Sequence, residues 1–265
     1  MATRLSRAAP RGAAPLAAYV LHRYDWSESS LILDLFTREL GRLAVAAKGA
    51  KRPYSQLRPV LLPFQHIVVT LGRAARDEGA SEVQNLRGAE WAGGAAMLTG
   101  AALFSGFYLN ELLMKLLARH DPHTALFDVY AQTLPALIAS DDAHVEAALR
   151  AFELTLLREI GVLPDLSLVT LTQQPVRGDA RYTLQAESGV GEARGAEGAL
   201  AGSVLTGLQA ALQHGSLAAL QHACRDSLAE LKVLLRGLIQ HHLGTSTLRT
   251  RQVMLDLQCL QTENF

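Results

Sequence analysis

Apolar residues alternate with polar or outward-facing ones in the first third of the chain, and the period then changes. Leu31, Leu33 and Leu35 alternate with Ile32, Asp34 and Phe36, the two-residue period of a strand. Leu16 to Tyr24 is rich in apolar and β-forming residues, and Leu43 to Ala47 is the natural partner of the Leu31 run. Between these last two, Glu39-Leu40-Gly41 predicts a hairpin turn in which Gly41 takes positive φ. Phe64 to Leu71 and Ser81 to Leu86 complete five short strands. Five strands in about 70 residues suit a small closed barrel, because closure removes unpaired edges.

Beyond Arg87 the spacing is helical. Trp91 to Ala118 predicts a buried helix, with Asn110, Glu111 and Lys115 interrupting an apolar run too short to span a membrane. His120-Asp121-Pro122 breaks it, and Asp121 is placed to cap a helix starting at Pro122 and running to Ala139, kinked at Pro135. In Asp142 to Ile160, Val145, Leu149, Phe152, Leu156 and Ile160 fall on one face, and Gly161 stops the helix. Residues 165 to 199 carry many glycines and one strand-like piece, Arg181 to Gln185; they predict a loose or hairpin-like insertion. Helices return at Ser203 to Gln213, Leu217 to Leu243 and Leu248 to Leu260. The expected class is α+β: a basic arm at 1–14, a barrel at 15–87 and a mostly helical domain at 88–265.

Charge sharpens this picture. The chain of 265 residues is neutral overall, with 25 basic and 25 acidic residues. Residues 1 to 76 nevertheless hold twelve basic and four acidic side chains, so the excess acid lies in the remainder. Such asymmetry points to a polyanion partner for the N-terminal part. The plainer alternative is a basic domain beside an acidic one. The first residues lack the apolar run of a secretory signal. Cys224 and Cys259 are far apart and form no CxxC pair, which fits reduced thiols in a cytosolic protein and supports no cysteine-based zinc site.

Motifs for covalent chemistry are missing. There is no GxxxxGK[ST] loop and no GxSxG elbow, and Gly189-Val190-Gly191 lacks the third glycine of a dinucleotide loop. His120 and His123 straddle a helix break and share no face, so a metal role is disfavoured there. Asp141-Asp142 is best explained as a helix cap. No catalytic residue, cofactor or metal ligand is assigned. What carries physical content is the basic barrel. Small barrels bind single strands through a cationic groove lined by aromatic platforms. Lys48, Lys51 and Arg52 share one loop with Tyr54 nearby; Arg38 and Arg42 flank the hairpin turn; Arg23, Tyr24 and Trp26 close the first strand. The alternative is a solubilising rim with aromatic residues filling the barrel ends.

An ordered set of motifs then resembles the RecO family of DNA repair proteins. It comprises Ala18-Tyr19-Val20-Leu21-His22-Arg23, Trp26-Ser27-Glu28-Ser29-Ser30-Leu31, Phe36-Thr37-Arg38-Glu39-Leu40-Gly41-Arg42 and Ala47-Lys48-Gly49-Ala50-Lys51-Arg52, followed by Leu62-Pro63-Phe64. Further on come Tyr108-Leu109-Asn110-Glu111-Leu112-Leu113, Leu149-Arg150-Ala151-Phe152-Glu153 before Gly161, Leu243-Gly244 and Leu248-Arg249-Thr250-Arg251. The resemblance covers about residues 17 to 257.

It implies an OB-fold followed by a helical domain, in a cytoplasmic, nucleoid-associated protein that anneals complementary single strands without being an enzyme. With RecR, and in some members RecF, such proteins help load RecA recombinase onto DNA coated by single-stranded DNA-binding protein, whose acidic, aromatic-ended tail they dock. The DNA residues expected are Arg23, Arg38, Arg42, Lys48, Lys51 and Arg52, with double-stranded DNA bound more weakly; the tail residues expected are Lys115, Arg119 and Arg150. Some members hold zinc on four cysteines in the insertion; residues 165 to 199 here contain neither cysteine nor histidine, so a zinc-free, floppier insertion is expected. A protein-binding adaptor barrel is the competing class.

Overall fold

The computed structural model describes residues 14–72, 83–94, 97–193, 195, 198–244 and 248–262. Residues 1–13, most of the expected basic arm, and Ser81 and Glu82, at the start of the expected fifth strand, lie outside them. Strands β1 (Leu16–Asp25), β2 (Leu31–Thr37), β3 (Gly41–Ala47), β4 (His66–Leu71) and β5 (Val83–Trp91) close into a barrel in the order β1-β2-β3-β5-β4. All pairings are antiparallel except β3 with β5. This is the small closed barrel the alternation predicts, and it is OB-like as the resemblance implies.

The two-residue period sorts the side chains. Leu33, Leu35, Leu43 and Val45 fill the barrel, while Tyr19, Leu21 and Phe36 face outward into a second core shared with the helices. A bulge in β1 between Val20 and His22 takes Leu21 out of the ladder. Its carbonyl accepts from Asn110 Nδ2 at 2.9 Å, and Asn110 Oδ1 accepts from Tyr130 OH at 2.6 Å. Asn110 is buried, and both its polar ends are satisfied. The motif around Tyr108–Leu113 therefore locks the barrel to the helices.

The helices are α1 (Gly100–Leu116), α2 (Thr124–Ala136), α3 (Asp142–Glu159), α4 (Gly202–His214), α5 (Leu217–Cys224), α6 (Leu228–Leu243) and α7 (Arg249–Thr262). Asp141 caps α3, accepting from the Ala143 amide at 3.1 Å. Several boundaries differ from the sequence reading. Trp91 ends β5 and does not begin a helix; Gly93 and Gly94 at positive φ separate it from α1. Asp121 does not cap α2, which starts at Thr124 with His123 at its N-cap. Asp121 instead lies against Gly41, whose φ of 70° and missing Cβ admit the Asp121 backbone. The predicted helix from Leu217 to Leu243 is divided by a 3-10 turn at Arg225–Ser227.

The described part of the insertion forms regular structure. β6 (Arg181–Gln185) pairs with β7 (Gly189–Glu192) and with β8 (Leu200–Ala201) in a three-stranded sheet, so the hairpin alternative is the one that forms. Tyr182, Leu184, Val190 and Leu200 belong to the helical core. Gly189 and Gly202 sit where a Cβ would strike Thr170 and the Arg177 carbonyl, which explains the glycines as packing positions.

Candidate nucleic-acid interface

The barrel has two chemically different ends. At one end Thr37 pairs with Gly41 across the β2–β3 hairpin; at the other, Leu31 pairs with Asp25 and Ala47. Six residue steps of strand, roughly 20 Å, separate them.

At the second end the loop after β3 winds through successive turns, with Arg52 N donating to Gly49 O at 3.2 Å, Arg58 N to Ser55 O at 3.3 Å and Leu61 N to Leu57 O at 2.9 Å. Ala50 and Leu61 are buried and plug the barrel. Lys51 N donates to Ser29 O at 3.0 Å and ties this loop to the β1–β2 turn. A cleft of about 430 Å³ results, lined by Arg23, Asp25, Leu31, Ala50, Lys51, Arg58 and Leu61. Arg58 also borders the shallow surface that carries Tyr54. Tyr54 is 95% exposed and Trp26, in the adjoining turn, 56%. Lys48 and Arg52 are exposed on the same loop and form no ion pair with any described residue.

Arg23 turns inward from β1 and reaches Leu61 O at 3.4 Å. Lys51 Nζ is shared between Asp25 Oδ1 and the Ser27 carbonyl, each at 3.1 Å. Of the six cations expected to bind DNA, four therefore gather at this end, and Arg58 joins them. Arg58 escaped the sequence reading because it lies in a proline- and leucine-rich stretch without strand or helix period; its proximity to Arg23 depends on the turns.

Arg38 and Arg42 are elsewhere. Arg38 forms a bidentate pair with Asp128 of α2, both hydrogen bonds 2.9 Å long. That hydrogen bonding and charge raise the Arg38 pKa and hold the Asp128 carboxyl below its usual range. Arg42 points outward into the junction with the helices, near Asp34 at 3.8 Å, while Arg119 approaches the same carboxylate at 3.6 Å. Burial lowers the Arg42 pKa, Asp34 opposes that shift and Arg119 adds to it. Tyr24, which donates to Asp34 Oδ2 at 3.4 Å, is raised by burial and then by that carboxylate. The backbone beside Arg119 also joins the barrel, His120 N donating to Arg42 O at 3.0 Å. Arg38 and Arg42 thus join the two halves and lie outside the cleft, so the six expected cations do not form one track.

The expected tail residues are dispersed as well. Lys115 pairs with Glu111 at 3.2 Å. Burial pushes the Glu111 carboxyl up, but the amides of Thr250 and Arg249, the Thr250 hydroxyl and Lys115 outweigh it and hold it below the ordinary value. Glu111 thereby caps the start of α7. Arg150 is 8% exposed and donates to the buried Glu153 at 2.7 Å, so it is not a surface contact. Tyr108 OH donates to the same Glu153 oxygen at 2.6 Å. In sequence Arg150 reads as a charge on a helix surface; the packing of α3 on both sides buries it.

No group of three or more His, Cys, Asp or Glu among the described residues is placed to hold a metal ion. No helix among them is long and apolar enough to cross a membrane.

Comparison with known proteins decides the family. A family model described as Recombination protein O N terminal matches residues 15–92, and one described as Recombination protein O C terminal matches residues 97–252. The chain belongs to the RecO family of DNA repair proteins. DNA repair protein RecO of Variovorax paradoxus (strain S110) is 52% identical over 253 residues, covering 92% of this chain and 96% of the relative. That of Verminephrobacter eiseniae (strain EF01-2) is 51% identical over 255 residues, covering 96% and 100%. RecO of Polaromonas sp. (strain JS666 / ATCC BAA-500) is 50% identical over 245 residues, covering 92% and 96%. Both halves of the RecO architecture are therefore present, and the basic cleft lies in the N-terminal one.

Proposed function

We propose that this RecO-family chain binds unpaired DNA at the second end of its barrel, anneals complementary strands, and with RecR promotes loading of RecA onto strands coated by single-stranded DNA-binding protein. RecF joins this assembly where it is used, and the work takes place in the cytoplasm at the nucleoid. One observation carries the DNA part: Arg23, Lys51 and Arg58 converge on one cleft, with exposed Lys48, Arg52 and Tyr54 on the loop that forms it and exposed Trp26 in the adjoining turn. Cations there exchange condensed counterions for phosphates, and exposed rings accept unstacked bases. Paired DNA offers the phosphates but not the base faces, so it binds more weakly.

Annealing needs no bond made or broken. Two like-charged strands must be held close, and a cationic surface lowers their repulsion. Arg38 serves this indirectly, by pairing with Asp128 of α2, and the Arg42 backbone does so by accepting from His120 N, so that both fix the barrel against the helices. The acidic tail of the coating protein is received on the helical half, where Lys115 and Arg119 keep partial exposure and Arg150 does not.

The test is annealing of two complementary oligonucleotides, one fluorescently labelled, with and without the coating protein. The wild type accelerates annealing, and the variant Arg23→Ala/Lys51→Ala/Arg58→Ala loses most of that acceleration. Equal acceleration by both proteins overturns the cleft as the site. No acceleration and no oligonucleotide binding by the wild type favours the adaptor reading, in which the barrel binds protein.

A further inference from the structure

The cleft contains a carboxylate as well as its cations. Asp25 is the last residue of β1, two positions from Arg23, and both side chains line the cleft. Its backbone is fixed by pairing with Leu31. Its Oδ1 lies 3.1 Å from Lys51 Nζ, and the Lys51 ammonium also donates to Ser27 O at 3.1 Å. Asp25 is 78% exposed and Lys51 31%, so solvent and ligand reach the pair. An exposed pair of this kind is weak and readily exchanged.

A surface meant only for tight polyanion binding gains nothing from a carboxylate in its middle, because a phosphate brought there meets a like charge. To Lys51, however, a carboxylate oxygen and a phosphate oxygen are the same kind of acceptor. We propose that Asp25 is a built-in competitor for the phosphate that Lys51 receives, setting how long a single strand stays in the cleft. An incoming phosphate displaces Asp25 from Lys51, and Asp25 returns as the strand leaves. This shortens residence and suits a protein that must pass its strand on. The proposal rests on the reading of the cleft as a single-strand site.

The test uses the full chain and a fluorescent oligothymidine, followed by anisotropy for affinity and stopped flow for dissociation. Asp25→Asn binds about five-fold tighter at low salt, the scale of one exposed ion pair, and dissociates correspondingly more slowly. The slope of log affinity against log salt steepens by up to about 0.7, one further net phosphate contact on a single strand. In a Lys51→Ala background, Asp25→Asn changes affinity little, because no cation remains to compete for. An equal gain with and without Lys51 shows a general charge effect and overturns the proposal. So does unchanged affinity on a wild type that binds normally. Absence of salt-dependent binding by the wild type overturns the nucleic-acid reading first and this proposal with it, a pattern separate from either of the others.

Discussion

Replacing Arg150 by Ala tests whether this arginine is a buried structural partner or a docking contact. In the wild type its guanidinium lies 2.7 Å from Glu153, which is 1% exposed, and Tyr108 OH donates to the same oxygen. Arg150→Ala leaves a buried carboxylate with the phenol as hydrogen-bond partner and only the charges of Arg236 and Lys232 to offset it, and breaking such a pair costs about 3–5 kcal/mol. For a chain of this size that lowers the melting midpoint by roughly 10 °C. The loss has a pH signature. Burial raises the Glu153 pKa, with Arg150 and the Tyr108 hydrogen bond opposing it. Without Arg150 the folded-state pKa rises further above its unfolded value. The destabilisation is then largest at neutral pH and shrinks as pH falls through the raised pKa towards about 4.3, because a neutral carboxyl no longer needs the cation. Arg150→Met/Glu153→Leu recovers most of the stability. Urea denaturation followed by circular dichroism between pH 5 and 8 compares both variants with the wild type. An Arg150→Ala midpoint within error of the wild type, or a loss that grows on acidification, refutes this account of Arg150.

Three further outcomes follow from the same geometry. Gly41→Ala destabilises by more than the roughly 1–2 kcal/mol of a positive φ alone, because its Cβ meets the Asp121 backbone; thermal melting checks it. Tyr54→Ala weakens single-strand binding by about 1–3 kcal/mol while leaving the salt slope unchanged, since a ring contributes stacking and not charge; anisotropy at several salt concentrations checks it. Glu111, held below the ordinary carboxylate pKa by the start of α7, stabilises that docking above about pH 4.3 and loses it as pH falls through its lowered value; the protection of the Arg249 and Thr250 amides against exchange, relative to their intrinsic rates, falls there, and in Glu111→Gln at neutral pH.

The barrel was legible because its strands alternate, and Leu33, Leu35, Leu43 and Val45 bury as that alternation requires. The end of β5 was not: Arg87-Gly88-Ala89-Glu90-Trp91 has no apolar period and is held by pairing with β4. The break between α5 and α6 carries no glycine or proline, so nothing local marks it. The insertion reads as loose because glycines suggest freedom, whereas Gly189 admits the close packing of Thr170 and the strand-like Arg181–Gln185 piece finds partners on both sides. The loop cations were legible as a cluster, and most of them do share one barrel end. The fates of Arg38, Arg42 and Arg150 were not. Asp128 lies 90 positions from Arg38 in sequence, and Arg119 is a distant neighbour of Asp34. Charge in a sequence shows that a partner is needed; only the fold shows where that partner is another side chain.

The most direct measurement is the salt dependence of oligothymidine binding by the wild type and by Arg23→Ala/Lys51→Ala/Arg58→Ala, with melting curves as a folding control. Removing three phosphate-binding cations from a single-strand site flattens the slope of log affinity against log salt by about 2. A variant that melts like the wild type yet binds with that flatter slope is the predicted result. A folded variant with an unchanged slope and affinity contradicts the assignment of the cleft.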